Sequence, residues 1–186
     1  AAGWTDSNGD GVLDREGKKF SFKALIPAGN APANNESQVL QDALKQIGVV
    51  MEITPLDDAA YFEQILARNF QAVFMGWASE PDPDPYGLFH SSQIPPAGLN
   101  VAGYKNPEAD QLMEEGRREF DRARRAEIYH RLHEILARDQ PYLWTVQPAT
   151  KWGVNRRIQN VESSTGGLGL FLWSPGPHGW WLRKPG

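Results

Sequence analysis

The chain of 186 residues contains no cysteine, which removes disulfides, cysteine-zinc sites and thiol nucleophiles together. It also lacks any apolar run approaching the roughly 20 residues that span a bilayer. An excess of basic charge is missing: the net charge is −4, whereas a general nucleic-acid binder is usually basic. The chain opens Ala1-Ala2-Gly3-Trp4, with neither the basic start nor the apolar centre of a signal peptide. This opening predicts either an intracellular protein or one whose N-terminal part lies elsewhere. Catalytic signatures are missing too. There is no Gly-x-Ser-x-Gly elbow, no phosphate-binding loop and no dinucleotide fingerprint. Gly166, Gly167 and Gly169 cluster, but they follow no clear strand and open no clear helix.

What is present suits a single domain or one lobe of a larger protein: 40% hydrophobic residues for a core and 23% charged residues for a solvated surface. Residues 20–26 read as a strand and 27–34 as a loop. Val39, Leu40, Ala43, Leu44 and Ile47 fall on one helical face, with Asn35 and Gln38 resembling a capping box and Gly48 at the C-terminal end. A second strand is expected over 49–54. Asp57 is a good N-cap, and Leu56 with Tyr61 has the spacing of a hydrophobic staple; the helix continues to about Asn69. Residues 71–77 form the third strand. This alternation predicts an α/β fold with a mostly parallel sheet flanked by helices.

Residues 78–105 are irregular and hold five prolines, and ordered loops of that length are usually functional. Asn106-Pro107 opens a helix with Leu112 and Met113 inward. Asp121 caps another, with Ile128, Leu132, Ile135 and Leu136 inward, and Pro141 ends it. Strands are expected over 142–146 and 151–154. The Gly-, Pro- and Trp-rich tail, 166–186, reads as though its packing partner were elsewhere. Arg117, Arg118, Arg122, Arg124 and Arg125 interleave with Glu114, Glu115, Glu119, Asp121 and Glu127, which reads as a solvated helical face.

Two motifs carry chemistry. In the first, Asp6, Asn8, Asp10 and Asp14 alternate around Gly9 and Gly11, as in the opening of a calcium loop. The twelfth position is Gly17 rather than a bidentate glutamate, and the alternative is a turn held by side-chain-to-backbone hydrogen bonds. In the second, Trp77 is followed by Glu80, Asp82 and Asp84 within a run of alternating prolines, where the third strand should end. Ligands of open parallel sheets sit beyond the carboxyl ends of strands. Trp77 would supply an apolar wall, the three carboxylates would receive a cationic group, and the prolines would lower the ordering cost. Asn34, closing the loop after the first strand, joins this candidate set. His130 and His133 stand i, i+3 on one helix, with no third metal ligand near them in sequence.

Five blocks in this order resemble the C-terminal lobe of the family-5 solute-binding proteins, which serve oligopeptide, dipeptide and nickel ABC importers. They are Ala2-Gly3-Trp4 with Asp6 to Asp14; Leu40 to Val49; Gly76-Trp77 with Asp82-Pro83-Asp84-Pro85; Asn100 with Tyr104 to Asp110; and Asp121 to Arg125 with Tyr129, Ile135-Leu136 and Gln140-Pro141-Tyr142. The resemblance implies one lobe of a type II periplasmic-binding-protein fold, with the N-terminal lobe absent and the tail returning to it. It implies a non-catalytic, extracytoplasmic protein that passes a peptide or related small solute to a membrane permease, with no nucleic acid involved. In peptide-binding members the Trp of the Gly-Trp element lines the pocket and an Asp three residues on pairs with the peptide ammonium; here those places hold Trp77 and Glu80. Where some members have an arginine facing a ligand carboxylate, this chain has Phe74. Two other readings stay open: a hydrolase using the loop carboxylates, and a calcium-dependent interaction module built on Asp6 to Asp14.

Overall fold

Strand β3, Ser21–Pro27, is buried at successive residues, Ala24, Leu25 and Ile26. A strand hidden on both faces reads as a continuous apolar run. The computed structural model describes residues 3–77, 83–147 and 153–159, with the backbone of 163–164, 167–168 and 181–182. In it β3 is the centre of a parallel sheet ordered β4-β3-β5, where β4 is Val50–Leu56 and β5 is Ala72–Val73. Helix α1, Ala31–Gln46, leads from β3 to β4, and α2, Asp58–Leu66, leads from β4 to β5. The two crossovers run in opposite directions along the sheet. With the usual right-handed connection, their helices fall on opposite faces. That arrangement covers β3 on both sides.

The caps set the lengths of these helices. Asn30 accepts the Ala33 N–H at 3.0 Å and Pro32 stands in the first turn, so α1 starts four residues before the expected Asn35. The proline that looked like loop material is a helix-start signal. The buried face of α1 runs through the fully buried Ser37 and the half-buried Leu40 and Leu44, while Val39 and Ile47 lie outward. At its end, Gly48 donates to the Lys45 carbonyl and Val49 to that of Leu44, both ending the helix through the left-handed Gly48. Asp57 caps α2 as expected, and Leu56 packs against the cluster that holds Tyr61.

The chain divides into two compact units, Ala1–Trp77 with Pro85–Asp139, and Ala78–Asp84 with Gln140–Gly186. In the first, a hairpin pairs β1, Asp14–Arg15, with β2, Lys18–Lys19, across Glu16 and Gly17, both at positive φ. A short helix α3, Tyr86–Phe89, follows, then a 3-10 turn over Ser91–Gln93. Helices α4, Pro107–Arg118, and α5, Arg122–Asp139, pack through Leu112, Met113, Tyr129, Leu132, Ile135 and Leu136. They approach so closely that a Cβ on Gly116 would lie 2.5 Å from the Tyr129 ring. Asp121 caps α5 through the Arg124 N–H, as the sequence predicts.

In the second unit β6, Ile158–Gln159, pairs antiparallel with β9, Trp181–Leu182, and β7, Ser163–Ser164, pairs with β8, Gly167–Leu168. Residues 142–146, expected as a strand, are irregular, with the rings of Tyr142 and Trp144 5.3 Å apart edge to face. Of the expected strand 151–154, residues 153–154 are irregular and 151–152 lie outside the described residues. Most of the tail lies outside them as well.

Candidate functional site

All three sheet strands are parallel, so their carboxyl ends share one edge. The strand order reverses at β3, and in such sheets the edge beyond a reversal is where ligands sit. Asn30, Asp57 and the segment 74–77 leave the sheet on that edge. The expected third strand, 71–77, pairs only over Ala72–Val73, after which the chain leaves the ladder. Its departure is anchored: the Phe74 N–H donates to the Leu25 carbonyl at 2.9 Å and the Tyr61 hydroxyl donates to the Phe74 carbonyl. Burial pushes the Tyr61 phenol up to about 12, so it remains a donor throughout the physiological range. Met75 packs on the core cluster of Leu25, Tyr61, Ile65 and Val101.

Trp77 follows and is 36% exposed, a large apolar ring presented to solvent at the end of an anchored segment. Glu80 and Asp82 lie outside the described residues. Asp84 is exposed and belongs to the second unit. Asn34 is not in a loop. It sits in the fourth position of α1, its N–H bonded to the Asn30 carbonyl and its own carbonyl accepting from the Ser37 hydroxyl. The asparagine at the carboxyl end of β3 is Asn30, and its amide oxygen is occupied by the cap. Among the described members of the expected set, Trp77 is the one that the first unit carries to the sheet edge.

Beyond the acidic loop the chain is tied down again, by residues that no local pattern singles out. Asn100 is fully buried. Its Nδ2 donates to the carbonyls of Phe89, His90 and Tyr104 at 3.2, 3.1 and 2.8 Å, and its Oδ1 accepts from the Tyr104 N–H at 3.0 Å. The Ser91 N–H and hydroxyl donate to the two oxygens of Asp110 at 2.9 and 2.5 Å. His90 stacks on Tyr86 with ring centroids 4.1 Å apart, and the Arg117 guanidinium lies over Tyr86 at 4.2 Å. Thus part of the stretch expected to be a solvated arginine–glutamate face is packed against the loop exit.

The expected metal-ligating residues have the following partners. Asp6 accepts the N–H groups of Gly9, Asp10 and Gly11, at 2.8, 3.1 and 2.9 Å. Asp10 is paired with Lys19 at 2.7 Å, which holds its carboxyl below the usual range, and also takes Val12 N–H. The Asn8 Oδ1 accepts Asp10 N–H, and Asp14 binds the Ser7 N–H and hydroxyl. These oxygens serve backbone and side-chain donors, the hydrogen bonding of an Asx-type turn. His130 and His133 are exposed on either side of the buried Leu132. The buried His90 sits near Asp110 and Glu114, yet its Nδ1 accepts the Ser92 N–H at 3.1 Å. A backbone N–H only donates, so the neutral ring carries its proton on Nε2 and offers no lone pair there. Among the described residues no group of three or more His, Cys, Asp or Glu is arranged to hold a metal ion. No helix among them is long and apolar enough to cross a membrane.

A surface groove of about 320 Å³, lined by Lys23, Leu25, Arg68, Asn69, Phe70 and Gln71, lies at the amino end of β5, away from the carboxyl edge. It takes no part in the site described above.

Comparison with known proteins shows the family and the fold. Residues 1–96 match the family described as bacterial extracellular solute-binding proteins, family 5 middle. The oligopeptide-binding protein AppA of Bacillus subtilis is 42% identical over 98% of this chain, which covers 33% of that protein. The structure of AppA from Bacillus subtilis in complex with a nonapeptide superposes with a TM-score of 0.72 and 34% identity, over 98% of this chain and 36% of that one. The oligopeptide binding protein of Thermus thermophilus, complexed with a pentapeptide, gives 0.66 at 25% identity, over 75% of this chain and 26% of that one. The chain spans about a third of the length of the relatives it matches. The α/β fold with a helix-flanked parallel sheet is the one shared with these neighbours.

Proposed function

Because the chain belongs to the bacterial extracellular solute-binding proteins of family 5, we propose that it forms one lobe of the substrate-binding component of an ABC-type importer. In this reading it holds a peptide or related small solute outside the membrane and hands it to a permease, without chemistry of its own. The observation that carries the reading is the exposed Trp77, delivered by an anchored segment to the carboxyl edge of a parallel sheet and followed in sequence by Glu80, Asp82 and Asp84. An aromatic wall followed by carboxylates suits a peptide's apolar side chain and terminal ammonium. The relatives named above include one that holds a nonapeptide and one that holds a pentapeptide, which supports peptides over sugars. The remaining length of the protein would supply the opposing lobe, and closure would bury the ligand and create the shape the permease reads.

A hydrolase reading gains nothing from the geometry. Paired carboxylates need a fixed separation and unequal environments. The one loop carboxylate among the described residues, Asp84, is exposed.

The test is a thermal-shift screen of the full-length protein against pools of di- to nonapeptides, with oligosaccharides as the comparison set. A ligand that binds only the folded state raises the melting temperature by mass action. Peptides should produce the rise, and Trp77→Ala and Glu80→Gln should weaken it without unfolding the protein. A rise with sugars alone, or peptide binding indifferent to both substitutions, would overturn the assignment.

A further inference from the structure

We infer that the groove at the amino end of β5 is a second binding site, one that takes a small amphipathic carboxylate, an oxyanion carried on an apolar body. It stands apart from the peptide reading, because it lies at the other end of the sheet from Trp77.

Lys23 and Leu25 are two residues apart on β3, so their side chains leave the same face of the sheet. Leu25 packs on that face with Tyr61 and Ile65 of α2. The helix stops at Leu66, and beyond its end the groove opens beside Lys23. Residues Arg68 to Gln71, which lead from α2 into β5, supply the rest of the lining. The buried Leu25 and the half-buried Phe70, both packed with the core cluster, give the groove its apolar part. Its volume of about 320 Å³ is at the lower end of small-molecule sites, roughly 300–1,000 Å³.

The polar lining consists mainly of donors. The Lys23 N–H is accepted by the Gln71 Oε1 at 2.8 Å, which leaves that amide its nitrogen to offer. The Arg68 Nε donates to the Val101 carbonyl at 3.2 Å, and the two terminal guanidinium nitrogens keep their donors. Asn69 gives its nitrogen to Gln64 and so adds one acceptor. Glu52 is the register neighbour of Lys23, yet among the described residues neither Lys23 nor Arg68 has a carboxylate within ion-pair distance. Two uncompensated cations, one of them a planar fork, match a carboxylate.

The position of Arg68 shows that its guanidinium is held in place. It ends α2 at φ +54, where glycine is the usual residue, and the Asn69 N–H returns to the Gln64 carbonyl. Glycine would serve that turn without strain, whereas arginine carries a left-handed backbone. Gly103 leaves room for the side chain, since a Cβ there would collide with the guanidinium. A cation at a helix C-terminus also complements the dipole, but that role involves neither Lys23 nor Gln71.

The test titrates the full-length protein calorimetrically, at fixed ionic strength, with benzoate, its neutral counterpart benzamide, and inorganic phosphate. Benzoate should bind saturably at about 1 mM, the weak end of the affinity scale. Benzamide lacks the charge and phosphate lacks the apolar body, so each should bind at least about tenfold more weakly. Lys23→Gln removes a charge whose ammonium makes no bond among the described residues, and should weaken benzoate by about tenfold. Arg68→Gln should weaken it further, and Arg68→Lys should restore only part, because the charge returns without the fork. Should the Arg68 variants fail to fold, Lys23→Gln decides the matter alone. The site is overturned by any of four results: no saturable benzoate binding, benzamide binding as tightly as benzoate, phosphate doing so, or benzoate binding that Lys23→Gln leaves unchanged.

Discussion

Replacing Asn100 probes the anchor of the loop exit most directly. The side chain is fully buried and makes contacts to three carbonyls and one N–H. The His90 carbonyl keeps a second partner, the Gln93 N–H, so it survives the loss. The Phe89 carbonyl and both backbone groups of Tyr104 lose the Asn100 amide. Stranding the two backbone groups of Tyr104 costs about 1 kcal/mol or more apiece, so Asn100→Ala should destabilise by about 2 kcal/mol. Asn100→Asp has nearly the same shape but no donor. At neutral pH its carboxylate would face three carbonyl oxygens, and the loss should exceed that of alanine. As the pH falls into the carboxyl range the protonated acid regains an O–H donor and the gap between the two variants should narrow. Urea unfolding of the full-length protein and its variants at neutral and mildly acidic pH measures both. A cost below about 0.5 kcal/mol for Asn100→Ala, within the range of ordinary surface changes, would refute the argument. So would an Asp variant that tracks the Ala variant at both pH values.

Three further outcomes follow from the same structure. Gly103 has φ +68, and a Cβ there would run into the Arg68 guanidinium, while Arg68 Nε donates to the Val101 carbonyl. Gly103→Ala should therefore cost about 2–4 kcal/mol, combining the left-handed backbone with a displaced guanidinium; an Arg68→Ala background should recover about half, measured as a double-mutant cycle in urea. Asp139 is held at about 2, against an ordinary 3.8, first by the Tyr104 hydroxyl, then by the Asn106 amide and Arg138. Its folded pKa lies below the unfolded one, so its stabilisation is full above the ordinary value and fades as pH falls from about 4 to about 2; Asp139→Asn should flatten that part of the acid-unfolding profile, and an unchanged profile would contradict the assignment. Asp6→Ala should cost about 1 kcal/mol, as a lost cap does, and added calcium should leave the melting temperature of the wild type unmoved; a calcium-dependent rise abolished by Asp6→Ala would restore the metal reading of that loop.

The elements that could be read from sequence are those whose signals are local. Asp57 with Leu56 and Tyr61 spans six residues, Asn106 caps α4 from the adjoining position, and Gly48 ends α1 within two residues of its last turn. Errors arose where two local signals competed. Pro32 fits both a loop and the first turn of a helix, and Asn30, not Asn35, supplies the cap. The helical periodicity of α1 includes Val39 and Ile47 in its apolar stripe, yet the fully buried residue is Ser37. Its hydroxyl is satisfied by the Asn34 carbonyl, so a small polar residue fits the interface and the larger apolar ones stay outside. Residues 71–77 have the composition of a strand, but only Ala72 and Val73 pair, because the chain must leave the sheet to carry Trp77 to its edge.

The site divides along the same line. The exposure of Trp77 beyond the third strand was legible, because a Gly-Trp pair at a strand end is a local pattern. The anchors were not, because each bridges a long stretch of chain: Ser91 to Asp110 across 19 residues, and Tyr104 to Asp139 across 35. Viewed along α4 alone, Asp110, Glu114 and Arg117 form an ordinary charged stripe, and nothing in its spacing separates a solvated face from one packed against another segment. What separates them is the segment laid against it. Ser91, His90 and Tyr86 give no signal alone, but become legible once Asn100 and the left-handed Gly103 fold the intervening chain back toward α4. An exposed aromatic group at a strand end can be found from sequence, then, while the residues that tie down the chain between Tyr86 and Tyr104 emerge only with the tertiary register that brings distant segments together.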